Sequence, residues 1–117
     1  MQKLVALLLL PALFMGSAGA NAHANLDHAS PAVGSTVGSS PAQVSVTFTQ
    51  NIERKFSRLE VRNASGARVD SGGASVSGNT MRVGVKSLPP GSYRVHWHVL
   101  SVDTHTTEGS FSFRVGR

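Results

Sequence analysis

His23, Asp103 and His105 are the side chains whose types and spacing carry chemistry in this sequence. Asp103 and His105 are separated by one residue, so in extended chain they leave the same face with Cα atoms about 6.6 Å apart. A carboxylate and an imidazole can then converge on one ion. His23 follows Ala20-Asn21-Ala22, a small-residue cleavage site. Cut there, the chain begins with His23, and its free amine and imidazole Nδ1 close a six-membered chelate ring on a metal. The amine must first lose a proton, which at pH 7 costs about 1 kcal/mol for a pKa of about 7.7–8.0. Metal-site energies are on the order of 10 kcal/mol, so this cost does not forbid the site. The resulting set is three nitrogens and an oxygen with no sulfur. In a tetragonal plane it suits Cu(II); Zn(II) can use the same donors but prefers a tetrahedron. Taken singly, Asp-x-His reads as a turn with a surface histidine, and a terminal histidine as chance. Their conjunction is the signal.

The cut that exposes His23 belongs to a secretory leader. Residues 1–22 have Lys3 as a positive start, an apolar run from Leu4 to Phe14 broken by Pro11, and the cleavage site. That run is shorter than the roughly 20 residues of a membrane-spanning helix. Residues 23–117 form one domain, of a size that buries enough surface for a single core. There is no cysteine, so disulfides, zinc–thiolate sites and cysteine nucleophiles are excluded. Loss of Lys3 takes the formal charge from +5 to +4. The cations are spread rather than blocked with aromatics, which argues against nucleic-acid binding. A soluble, monomeric protein outside the cytoplasm is expected.

The elements that must position these residues are strands. Tyr93, Val95, Trp97 and Val99 alternate with Arg94, His96, His98 and Leu100, and Phe111, Phe113 and Val115 alternate after the Asp103–His105 connection. Val44, Val46 and Phe48 predict a half-buried strand, Leu59 and Val61 another, and Met81, Val83 and Val85 a third. Val69 and Val76 sit in weaker runs about a turn expected at Gly72-Gly73. Other turns are expected at Ser30–Ser35, Ser39–Pro41, Asn63–Gly66 and Leu88–Gly91, and a loop with at most one helical turn at 51–56. No helical period of ten residues appears after the leader. The prediction is all-β: an antiparallel Greek-key sandwich or barrel of seven or so strands. Tyr93 and Trp97 belong to its core, with a hydrogen bond required for the Tyr93 hydroxyl. His96 and His98 share the face opposite Trp97, which reads as a solvated sheet face, with a supporting metal role as the alternative. His28 reads the same way.

Several stretches together resemble the CopC family of periplasmic copper-resistance proteins. They are His23-Ala24-x-Leu26, Ser30-Pro31-Ala32-x-Gly34-Ser35, Phe48, Pro90-Gly91-x-Tyr93-x-Val95-x-Trp97, Ser101-x-Asp103-x-His105 and Gly109-x-Phe111-x-Phe113. The resemblance covers the chain after the leader. It implies a seven-stranded immunoglobulin- or cupredoxin-like fold, Cu(II) held by His23, Asp103 and His105, and an inner-membrane copper importer of the CopD type as partner. Some members of the family bind Cu(I) in a methionine-rich loop; here Met81 is the only methionine after the leader and fits a core position, so a Cu(II)-only member is expected. Thr104 stands where the family usually has glycine, Thr106 where it often has proline, and His98 where an arginine is expected. A β-branched Thr104 disfavours φ > 0, which predicts a slightly different path for the turn.

Two other functions are open to such a chain. Lytic polysaccharide monooxygenases also expose an amino-terminal, copper-chelating histidine on a β-sandwich. They need an open coordination position and exposed aromatics on long loops, whereas the loops here are short, Trp97 reads as buried and Asp103 takes a place in the coordination plane. A metal-free immunoglobulin-like interaction module would need no amine at His23. A copper-binding protein without catalysis is the reading that uses all three residues.

Overall fold

The computed structural model describes residues 26–116. Its strands are β1 (Leu26–Ser30), β2 (Thr36–Val37), β3 (Gln43–Phe48), β4 (Arg58–Asn63), β5 (Asp70–Ser77), β6 (Thr80–Val85), β7 (Gly91–Leu100) and β8 (Thr106–Val115). They form two four-stranded sheets, ordered β1-β3-β6-β5 and β2-β8-β7-β4. Chain order and sheet order differ, as Greek-key connections require. The pairing is antiparallel except between β2 and β8, which run parallel.

The period-two pattern holds. Val44, Val46 and Phe48 of β3, Leu59 and Val61 of β4, Met81 and Val83 of β6, and Tyr93, Val95, Trp97 and Val99 of β7 are all buried between the sheets with Phe111, Phe113 and Val115 of β8. Val85 is half-buried against this core. Ile52 and Leu88, which lie in connections where no alternation marks them, are buried too. Trp97 is fully buried, with Phe48 at 6.0 Å and Phe111 at 6.4 Å between ring centroids. The indole occupies space that β8 leaves free: a Cβ on Gly109, its register partner, would come within 2.5 Å of the ring. The Tyr93 hydroxyl finds its partner in the Pro89 carbonyl oxygen at 2.5 Å.

Two local expectations are corrected. Gly72 and Gly73 do not form a turn between two runs; both have positive φ inside β5 and make an irregularity in its pairing with β6, between Ser71 and Ser75. Glycine permits that kink, and the ladder resumes beyond it. β1 and β2 also escape the pattern, because β1 is largely polar and β2 is two residues long. The region 51–56 ends in a 3-10 turn at Arg54–Phe56.

Candidate metal centre

The connection between β7 and β8 is a tight turn. The Ser101 N–H donates to the His105 carbonyl (2.9 Å) and the Thr104 N–H to the Ser101 carbonyl (2.9 Å). Asp103 and His105 therefore do not project from extended chain, as their spacing alone predicts. They meet across the turn, with His105 Nδ1 3.2 Å from Asp103 Oδ1. The conformation depends on Thr104, whose φ is +70°. Despite its β-branch, Thr104 adopts the left-handed conformation that glycine takes freely.

Ser101 holds the turn from inside. It is buried, its hydroxyl donates to Asp103 Oδ1, and its oxygen accepts from the His105 N–H at 3.3 Å. The Ser101 hydroxyl is the main reason the Asp103 carboxyl is held below the usual carboxylate range; burial opposes it, and hydrogen bonds from His105 add to the lowering. Sequence reasoning included Ser101 in a motif but gave it no role. Its signal is a small polar residue at the end of the inward-facing row Tyr93–Val99, where another apolar side chain would continue the pattern.

Both donors are accessible. Asp103 is 45% exposed at its side chain and His105 79%, and with Gln50, Thr106 and Thr107 they line an open hollow. Two donors about 2.0–2.1 Å from one ion at a right angle lie about 2.8–3.0 Å apart. The observed 3.2 Å fits that arrangement after a small adjustment. Among the described residues no third histidine, aspartate or glutamate joins them. His23 and the leader 1–22 lie outside the described residues. The point from which His23 must reach is described: Leu26 pairs with Phe48 at the end of β3, two residues before Gln50. The Val102 N–H donates to the Asn51 carbonyl at 3.0 Å, so the start of β1 and the Asp103–His105 turn occupy one end of the sandwich.

The other histidines are elsewhere. His28 on β1 is exposed, with Nδ1 3.1 Å from Asp27 Oδ2. His96 Nε2 is 2.9 Å from Glu108 Oε2 on the outer face of the second sheet. His98, between Arg58 and Glu108 in register, is half-buried, and its Nδ1 is buried without a hydrogen-bond partner among the described residues.

A family model described as the CopC domain matches residues 26–116. The chain belongs to the CopC family. The crystal structure of CopC from Methylosinus trichosporium OB3b is similar, with a TM-score of 0.74 and 31% identity over 80% of this chain and 94% of that one. Copper resistance protein C of Xanthomonas campestris pv. juglandis is 34% identical over 110 residues, 86% of each chain. Copper transport protein CutJ of Bacillus subtilis is 32% identical over 100 residues, 82% of this chain; the match spans 18% of CutJ's length. Membership of the CopC family makes copper the ion against which this site is to be judged, and the nitrogen and oxygen donors of His105 and Asp103 suit it.

Proposed function

We propose that this CopC-family protein binds Cu(II) in the periplasm, for tolerance, sequestration or delivery of copper, and does so without catalysing a reaction. The leader 1–22 is removed, and the domain 23–117 works as a monomer. Cu(II) is held by the amine and imidazole of His23, the Asp103 carboxylate and a His105 nitrogen. The observation that carries this reading is the 3.2 Å approach of His105 Nδ1 to Asp103 Oδ1 at the end of the sandwich where β1 begins. Three residues of extended chain span about 10 Å, and that is the length available between Leu26 and His23. An inner-membrane importer of the CopD type is the proposed recipient or source of the metal.

Electron paramagnetic resonance of protein processed to begin at His23, with one equivalent of Cu(II), tests the donor set. A tetragonal signal with three nitrogens and one oxygen is expected. Protein carrying one extra residue before His23 should lose most of its affinity, because the amine becomes an amide that is not a comparable donor. Unchanged affinity and an unchanged signal in the extended protein would rule the amine out. Formation of oxidised polysaccharide with copper and a reductant would replace the binding reading with an oxygenase.

A further inference from the structure

Large hydrophobic side chains are buried or half-buried throughout this domain, with exposed exceptions at Val33, Phe56 and Val102 among the described residues. Phe56 (62% exposed) and Val102 (52% exposed) stand at the end that carries Asp103 and His105, on two segments laced together. Ile52 bridges Ser101, the Glu53 N–H donates to the Leu100 carbonyl (2.8 Å) and the Val102 N–H to the Asn51 carbonyl (3.0 Å), and the Leu100 N–H donates to Ser57 Oγ (3.0 Å). The segment 51–57 is therefore fixed relative to the Asp103–His105 turn. Around Phe56 are Arg54, Lys55 and Arg58, all exposed, against one carboxylate, Glu53. Beside Phe56 a hollow of about 420 Å³ runs from Lys55 and Arg58 to His98 and Thr106, and no carboxylate lines it. Thr106 also borders the hollow of Asp103 and His105.

An exposed aromatic ringed by cations is the anatomy of a protein-binding patch, in which aromatics and arginine carry much of the energy. We infer that Phe56 with Arg54, Lys55 and Arg58 forms a docking face for a protein that exchanges copper with this one, and that the partner offers an apolar pocket rimmed by carboxylates. The inference rests on the copper-binding reading above for the adjacency of cargo and dock. The concave, cation-lined hollow selects a protein over a lipid surface: side-chain carboxylates can enter it, whereas a planar layer of headgroups meets only its rim. Complementary charge would steer the encounter, and the rigid strap would bring the partner's surface against the metal corner.

The probe is a capped peptide of alternating glutamate and leucine, titrated into isotope-labelled full-length processed protein and followed by amide chemical shifts. Shifts confined to residues 53–58 and 98–106 are expected, weakening severalfold as salt is raised from about 20 to about 300 mM. Phe56→Ser and Lys55→Glu should each weaken binding about tenfold. Both residues are exposed, so the variants should keep the amide spectrum of the folded domain. Arg82→Glu, an exposed charge reversal on the other sheet, should leave binding within about twofold. Equal losses in Lys55→Glu and Arg82→Glu with none in Phe56→Ser would mean attraction by net charge and would overturn the docking face. So would peptide shifts elsewhere, or no peptide binding together with retention on phosphatidylglycerol vesicles, which would make the patch a membrane contact. Copper titration of Phe56→Ser and Lys55→Glu, expected to match the unaltered protein, separates failure of the dock from failure of the copper site.

Discussion

Replacing Thr104 by glycine should stabilise the metal-free protein. Thr104 has φ +70°, a region that costs an L-residue about 1–2 kcal/mol and is least suited to a β-branched one. Glycine removes that cost but adds unfolded-state freedom, a loss of about 0.5–1 kcal/mol. The Thr104 hydroxyl donates to the Asp103 carbonyl (2.5 Å) at an exposed position, where water can replace it. At the middle of those ranges the balance is a gain of about 0.8 kcal/mol, or about 3–6 °C in Tm for a domain of this size. Thermal unfolding by circular dichroism, backed by urea titration, reads it directly. Thr106→Gly is the control: Thr106 lies in β8, where glycine should cost about 0.5–1 kcal/mol. A Tm for Thr104→Gly equal to or below the starting protein's would refute the reasoning, because it would mean that Thr104 is not strained in this turn.

Ser101→Ala should weaken Cu(II) binding about tenfold or more by freeing the Asp103 carboxylate it holds, measured by competition with a chelator; the same change should cost about 1–2 kcal/mol of stability through the hydrogen bond lost inside the turn. Gly109→Ala should destabilise by about 1–3 kcal/mol, since its methyl group would meet the fully buried Trp97 ring; urea unfolding measures it. Asp70 accepts from the Val61 N–H at 2.9 Å and from Arg68 Nε at 2.8 Å. Burial raises its pKa, but these hydrogen bonds and the Arg68 charge outweigh it and hold the carboxyl below its ordinary value. A lowered carboxylate contributes stability above its unfolded pKa of about 3.9 and loses it as pH falls through the folded value. Asp70→Asn should therefore be less stable at pH 7 by about 1–2 kcal/mol, with the gap to the unaltered protein closing as pH drops from about 5 towards 3.

The strands with one buried face were legible in the sequence because alternation is written residue by residue: Tyr93, Val95, Trp97 and Val99 could face only one way. The metal candidates were legible for a similar reason, since donor chemistry belongs to side-chain types and Asp103-x-His105 is a local spacing. What no local pattern encodes is how the ends of elements meet. The interruption at Gly72-Gly73 looks like a turn until β6 is in place to pair with both halves of β5. The left-handed conformation of Thr104 goes against its own preference, and the surrounding hydrogen bonds of Ser101 and His105 impose it. The role of Ser101 exists only once β7 has carried it into the core beneath Asp103. Residue identity thus determined which atoms can bind a metal and which faces are apolar. The tertiary structure decided that Asp103 and His105 meet across a turn, and that their hollow and the one lined by Phe56 share Thr106, because long-range backbone pairing sets those positions and outweighs the preferences of single residues.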